Sequence, residues 1–336
     1  MMTTTSKNGA LGLLSGGLDS QLAVRLLQRQ GITVRTIVFN NPFYDISAAV
    51  KAAAALEVPL RIYDFTDAIL ALIKNPPHGF GKCMNPCIDC HALMLRRAGD
   101  LLAEEGCRFL FTGEVLNERP MSQTRRALQT VAADSAYADL VLRPLSALSL
   151  PPVKPEREGW VDRQQLLNLN GRRRTTQFAL AREFGLQSYP SPAGGCLLTE
   201  PNFCSRLREL QAHEGLGNRR HVERLRAGRH FRLPSGGKFI LGRDEADNHR
   251  IADMLTADDY AIVVPDGGNG PTGMLEVADG EQALREAAAI FACYVKCPSQ
   301  ATTAVEIRRD GQFLKRLQIA PLPPEQLQNC RIGRPP

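Results

Sequence analysis

The hexapeptide Ser15-Gly16-Gly17-Leu18-Asp19-Ser20 restricts the fold of this chain more than any other stretch. It stands between a short apolar run, Ala10–Leu14, that reads as a buried strand, and a helical pattern over Asp19–Gln30. In that pattern Leu22, Ala23, Leu26 and Leu27 recur at the spacing of one helix face. Glycines let the backbone turn tightly and approach a ligand closely. The helix that follows offers free N–H groups and a positive dipole end to an anion. The hydroxyls of Ser15 and Ser20 can donate to phosphate oxygens, and Asp19 can hold Mg²⁺. No G-x-x-x-x-G-K-[ST] is present, so this is not the loop of ordinary NTPases. A glycine turn with a serine cap is the plain alternative, and the full hexapeptide in its strand–loop–helix setting outweighs it.

The alternation continues. Val34–Phe39, Leu60–Phe65, Phe109–Thr112 and Leu140–Leu142 read as strands. Ile46–Leu56, Ala68–Ile73, His91–Glu105 and Ser122–Asp134 read as helices, with a Pro-, Gly- and Cys-rich loop over Asn75–Cys90. Strands alternating with helices predict βαβ units and a doubly wound parallel sheet, an α/β fold. Pro144, Pro151, Pro152 and Pro155 break the pattern. Gln164–Leu169 and Thr175–Phe184 then read as helices, Phe239–Leu241 and Ala261–Val264 as strands, and Glu281–Val295 as a helix. The expected organisation is an α/β domain over 1–155, a helical, arginine-rich segment over 156–228, and a smaller α+β domain over 229–336.

The hexapeptide matches the SGGxDS loop of the PP-loop ATP pyrophosphatase superfamily, whose domain is adenine nucleotide α-hydrolase-like. The resemblance implies cleavage of ATP to AMP and pyrophosphate with adenylation of a carbonyl oxygen. ATP and Mg²⁺ would then be held by Ser15, Gly16, Gly17, Asp19 and Ser20, with Asp19 catalytic. Phe39-Asn40-Asn41 ends a strand where the adenine should sit, which brings in Asn40. Thr112-Gly113-Glu114 ends another at the carboxyl edge where open α/β sheets bind ligands, which brings in Gly113. Related enzymes have Thr-Gly-His there, so no catalytic role carries over to Glu114. Asn117–Gln123 reads as a lid or substrate loop. Ordinary loop chemistry weighs about equally for all of these.

The cysteines narrow the choice within that superfamily. Asn85-Pro86-Cys87-Ile88-Asp89-Cys90 resembles the tRNA 2-thiouridylases and 4-thiouridine synthetases, as does Cys196 after the Gly-rich turn Tyr189–Gly195. A C-x-x-C with one distant cysteine is similar to the iron–sulfur branch of these thiolases. There three thiolates hold a [4Fe–4S] cluster and leave one iron open for sulfide. The resemblance thus implies Cys87, Cys90 and Cys196 as catalytic cluster ligands, with Cys83 as a substitute. A persulfide on Cys196 working with Cys87 or Cys90 stays open. A closed zinc site of Cys83, Cys87, Cys90 and His91 is crowded in sequence. A radical-enzyme C-x3-C-x2-C fits poorly behind such a loop. Cys107, Cys204, Cys293, Cys297 and Cys330 read as buried apolar residues, although Cys293 and Cys297 could form a second pair.

The 336-residue chain carries 41 Lys and Arg against 35 Asp and Glu, a net +6. Arginine dominates, and from Arg206 to Arg232 the local balance is +5, which suggests a surface facing a polyanion. Candidate RNA contacts are Arg172, Arg173, Arg174, Arg219, Arg220, Arg224, Arg226 and Arg243. Gly242-Arg243-x4-Asn248 after a strand, and the Asp266–Pro271 loop, resemble the NFACT-type RNA-binding domain over about 229–296. A dimerisation or lid domain is the alternative there, so a homodimer stays open. No secretory leader or membrane-length apolar run is apparent, and the expected location is cytoplasmic. The implied function is ATP-dependent tRNA thiolation, 4-thiouridine first. The partners are tRNA and either sulfide or a sulfur-donor protein, with no membrane. A PP-loop ligase or amidating enzyme with a structural metal is the alternative, and an RNA-binding module with a degenerate nucleotide fold is the alternative from another class.

Overall fold

A computed structural model describes residues 9–191, 195–276, 280–295 and 302–333. They divide into two units, Met1–Thr199 and Glu200–Pro336.

In the first unit β1 (Gly9–Leu13) leads through the glycine loop to α1 (Leu18–Arg29). Then come β2 (Thr33–Asn40), α2 (Ser47–Leu56), β3 (Leu60–Asp64), α3 (Thr66–Lys74), α4 (Cys87–Asp100), β4 (Phe109–Phe111), α5 (Arg125–Asp134) and β5 (Val141–Leu142). The strands are parallel in the order β3-β2-β1-β4-β5, the doubly wound α/β arrangement expected. Chain order reverses beside β1, so the loops after β1 and β4 diverge and leave a crevice at the strands' carboxyl ends. Apolar runs with both faces covered make the sheet: Ala10, Leu11, Ile37, Phe109 and Leu110 are buried. α6 (Lys154–Arg157) and α7 (Thr175–Glu183) follow.

Two departures from the sequence reading have a local cause. α4 starts at Cys87, not at His91, because Pro86 fits the position before a first turn. Gln164–Leu169 is not a helix: Asp162 caps a single 3-10 turn, and the Leu167 and Leu169 amides donate to Pro144 and Leu145 carbonyls at 3.0 and 2.8 Å.

The second unit contains α8 (Pro201–His213), α9 (Arg219–Arg224), β6 (Arg229–Arg232), β7 (Lys238–Leu241), α10 (Glu245–Met254), β8 (Tyr260–Val263) and β9 (Gly273–Glu276). After these come α11 (Glu281–Ala292), β10 (Thr303–Arg309), β11 (Gln312–Ile319), α12 (Pro324–Cys330) and β12 (Arg331–Ile332). Its antiparallel sheet runs β11-β10-β8-β9-β7-β6-β12. Ala287, Ile290 and Phe291 of α11 pack with Phe231, Phe239, Leu275 and Val305 of the sheet in one core. The α+β architecture is the one expected. Among the described residues no helix is long and apolar enough to cross a membrane.

Candidate active site

Packing and hydrogen bonds fix the backbone of the glycine loop. Gly16 has φ +79°, and a Cβ there would lie 2.3 Å from the Ala48 carbonyl carbon, so only glycine fits. The Gln21 amide donates to the Gly16 carbonyl at 2.8 Å, and the Tyr44 hydroxyl donates to the Ser15 carbonyl at 2.7 Å. The Ser20 hydroxyl donates to the Gly17 carbonyl at 2.8 Å and lies 3.3 Å from that of Ser15. Gly17 precedes α1 without a side-chain cap, which leaves the helix N-terminus open to an anion. Gly113 supports this loop from below: a Cβ there would meet the Ser20 amide nitrogen at 2.5 Å. Asn40 is exposed at the carboxyl end of β2, where its carbonyl accepts from the Phe65 amide at 2.8 Å.

Asp19 points into the crevice. Its Oδ2 accepts from Arg174 Nη2 at 3.0 Å, whereas its buried Oδ1 has no partner. Burial pushes the Asp19 carboxyl above its ordinary value, against the pull of the Arg174 guanidinium. An orphaned carboxylate oxygen beside an open helix N-terminus fits a Mg²⁺ delivered with a phosphate chain. Arg174 is thus a correction to the sequence reading. Arg172 and Arg173 are exposed, but Arg174 turns inward, because the Gly171 amide donates to the Leu116 carbonyl at 2.7 Å and carries the following residues to the crevice. Its Nε lies 3.4 Å from Glu118.

The cysteine loops meet in the same unit. Cys87 and Cys90 occupy the first turn of α4, three residues apart and so on one face. The segment after Cys196 is stitched to both neighbours: the Leu197 amide donates to the Phe43 carbonyl at 2.9 Å, and the Met84 amide to the Leu198 carbonyl at 3.1 Å. Burial pushes the Cys90 thiol up, and the nearby Cys196 and Cys87 push it further. Burial also raises Cys87, opposed by Arg119. The three cysteines therefore share a neighbourhood. Among the described residues, however, no three His, Cys, Asp or Glu side chains are grouped to hold a metal ion.

Cys107, Cys204 and Cys330 are buried, as expected of apolar cysteines. Cys293 lies 3.3 Å from the Ala289 carbonyl. Cys297 and the Pro192–Gly194 part of the Gly-rich turn lie outside the described residues.

Several pairings around these loops were not readable from the sequence. Glu114 is buried, accepts from Arg143 Nε at 2.9 Å and from the Thr112 hydroxyl at 3.0 Å, and meets His91 Nδ1 at 3.2 Å. Burial would raise its carboxyl, but Arg143 and His91 hold it down at about 2. Asp89 anchors the cysteine loop by accepting from the His78 amide at 3.0 Å. Arg119 is exposed, and its charge acts on Asp19, Tyr44 and Cys87 alike. A distant carboxylate or cation partner leaves no local sequence signal. The position of Glu114 at a strand's carboxyl end was the one available pointer.

In the second unit Arg219, Arg220, Arg226 and Arg243 are exposed. Arg243 pairs with Asp247, 3.2 Å away at one contact. Arg206, near Arg243, is pushed down to about 10 by burial and then by that neighbour. The Gly242–Asn248 spacing has a packing reason: a Cβ on Gly242 would sit 1.9 Å from Asn248 Oδ1, which accepts from the Thr272 amide at 2.9 Å. Arg224 is the second correction. It is buried, paired with Asp259, and donates to the Met254 carbonyl at 3.0 Å, so it faces no polyanion. Arg224→Ala is expected to destabilise this unit by about 3–5 kcal/mol, because the buried Asp259 charge would lose its cation and keep only its Thr256 hydrogen bonds. Denaturant unfolding followed by far-ultraviolet circular dichroism checks it.

Two family models match the chain. Residues 5–151 match the family described as thiamine biosynthesis protein (ThiI), and residues 228–331 match the NFACT protein RNA binding domain. "Uncharacterized protein MJ1016" of Methanocaldococcus jannaschii is 25% identical over 141 residues, 41% of this chain and 46% of that protein. A "Probable tRNA sulfurtransferase" of Agathobacter rectalis is 29% identical over 149 residues, 41% and 36%. The "tRNA-specific 2-thiouridylase MnmA" of Helicobacter hepaticus is 28% identical over 163 residues, 42% and 47%. The chain spans less than half the length of each of these relatives. It joins a PP-loop domain of the ThiI type to an NFACT-type RNA-binding domain.

Proposed function

We propose that the chain is an ATP-dependent tRNA sulfurtransferase that adenylates a uridine carbonyl oxygen and replaces it with sulfur, with 4-thiouridine as the first product to seek. One observation carries the reading: the open N-terminus of α1, with its orphaned Asp19 oxygen, and the stitched loops of Cys87, Cys90 and Cys196 belong to one unit and share the electrostatic reach of Arg119. The relatives named for tRNA thiolation support it.

The residues divide the work. Ser15, Ser20 and the first N–H groups of α1 hold the phosphates, and Asp19 holds the accompanying Mg²⁺. Uracil oxygen is a poor leaving group, and attack on the α-phosphate expels pyrophosphate and turns that oxygen into part of AMP. Donors already aimed at the phosphates stabilise the charge that develops. Sulfur then attacks the activated carbon and AMP leaves. Cys196 carries the sulfur as a persulfide whose S–S bond is broken by Cys87 or Cys90, leaving a disulfide, or the three cysteines would hold a [4Fe–4S] cluster; iron and sulfide analysis of anaerobically purified protein separates these. The second unit holds tRNA through exposed arginines, in the cytoplasm where tRNA is found.

Incubation with tRNA, Mg·ATP and sulfide, followed by nucleoside mass spectrometry, tests the function. A thiouridine with stoichiometric AMP supports it. ATP cleavage with no thionucleoside from sulfide or from a persulfide donor sinks it and favours a ligase. For the RNA surface, replacing Arg219, Arg220 and Arg226 together with Ala should weaken tRNA binding. Every arginine that neutralises a phosphate should, when replaced, flatten the log–log salt slope by about 0.7–0.9. Unchanged affinity and slope would make these arginines a solvated face.

A further inference from the structure

Arg174 is placed as a working part of the crevice, not as a tie that holds the fold. A guanidinium has five N–H donors. Arg174 is largely buried, with 12% of its side chain exposed, and among the described residues its side chain makes one hydrogen bond, from Nη2 to Asp19. Its Nε is buried without a hydrogen-bond partner, because Glu118 at 3.4 Å is an ionic neighbour only. Asp19 mirrors this, with one oxygen taken and one buried and empty. An unmade bond in the interior costs free energy, and in the structural pair Arg224–Asp259 one arginine donor is orphaned but both carboxylate oxygens are bonded. Two facing groups that both leave capacity unused are arranged for a third party.

Charge and place say what that party is. Asp19 lies in the first turn of α1, so Arg174 sits against the helix end that attracts anions. Phe178, one turn into α7, lies 5.7 Å from the guanidinium and backs it. The planar guanidinium suits two oxygens of one phosphate.

We propose that Arg174 is a phosphate-binding residue of the adenylation site, parked on Asp19 until Mg·ATP arrives and then exchanged: the metal takes the carboxylate and Arg174 takes the phosphate chain. Glu118 keeps the guanidinium oriented through the exchange. The proposal rests on the adenylating function above and adds to it a residue that sequence had grouped with the RNA contacts.

The exchange makes two effects of one substitution run in opposite directions. In nucleotide-free Arg174→Ala, a competitor for Asp19 is gone, so Mn²⁺ titrated by electron paramagnetic resonance should bind about tenfold tighter than to wild type. With tRNA present as the acceptor of the adenylyl group, ATP–pyrophosphate exchange by the same variant should fall about 100-fold, the usual loss when one donor to a developing charge is removed. Binding of tRNA should be unaffected, and Arg174→Lys should recover part of the exchange. A purely structural Arg174 would give weaker or unchanged Mn²⁺ binding, and that overturns the parking. Intact exchange with weakened tRNA binding overturns the phosphate contact and returns Arg174 to the RNA surface. If Arg174→Ala fails to fold, Arg174→Gln, which keeps a neutral donor of shorter reach, carries the same titration. Absence of exchange in the wild type would fail the adenylating function alone, because the Mn²⁺ titration is read without nucleotide.

Discussion

Asp19→Ala should abolish release of AMP and pyrophosphate from ATP, a loss of at least about 1000-fold, while the protein stays folded. The two halves of this expectation have separate causes. Activity falls because Oδ1 is a buried carboxylate oxygen beside the open end of α1 that makes no hydrogen bond among the described residues. Stability holds because ionised Asp19 is not a net asset to the fold. Burial raises its folded-state pKa above the unfolded value even with Arg174 beside it. A raised carboxyl pKa means that the folded state prefers the protonated form, so the charge costs stability at pH values above the unfolded pKa. Asp19→Asn, which keeps the shape and removes the charge, should therefore be no less stable than wild type at pH 7. Malachite-green detection of phosphate after pyrophosphatase, paired with thermal unfolding, reads both halves. Full ATP turnover by a folded Asp19→Ala protein would remove the assignment of the loop. A site that weakens its own fold for a ligand's sake is a common bargain at functional positions.

Much of this crevice was legible because its parts are local. Gly16 must be glycine for its φ and for Ala48, and the hexapeptide is short enough that strand, turn and helix signals adjoin. The parallel sheet followed from apolar runs separated by amphipathic helices. The cysteine loops were legible as motifs, and their meeting depends on pairings such as Met84 with Leu198 that no spacing reveals.

The arginines show where such reading stops. Arg172, Arg173 and Arg174 are identical in composition, yet the third is turned inward by a bridge between Leu116 and Asn170 and paired with a carboxylate 155 residues away. Arg224 lies between the exposed Arg220 and Arg226 in sequence but on the inner side of a one-and-a-half-turn helix, over Asp259. A charge run reports the sign of a surface and not which members reach it. The β10–β11 hairpin was missed for a related reason. Val305, Ile307, Leu317 and Ile319 supply an inward row, but the intervening Arg308, Arg309, Lys315 and Arg316 and a bulge after Ile307 disguise its period of two.

Cys87→Ala, Cys90→Ala and Cys196→Ala should each lose thiolation to background, by about 1000-fold or more, and keep ATP–pyrophosphate exchange within about twofold. The separation follows from the construction. The phosphate loop is held by Gly16, Gln21, Tyr44 and Gly113, none of which depends on a thiol, whereas the sulfurs are held by the first turn of α4 and by the Phe43 and Met84 backbone. Cys107→Ala should leave thiolation unchanged, since that thiol is buried beside the Glu105 carbonyl and pushed up to about 11 by burial. Cys83 decides the ligand set. It has a left-handed backbone, φ +59°, in the turn before α4. If Cys83→Ala retains thiolation while Cys196→Ala loses it, a C-x3-C-x2-C set is excluded and the distant cysteine is required. The two modes of sulfur handling then part on metal content. A cluster predicts that each of the three substitutions releases iron along with activity. A persulfide predicts an active wild type with no iron, in which Cys196→Ala alone loses the sulfane sulfur detected by cyanolysis. Thiolation surviving all three substitutions would detach these cysteines from the reaction.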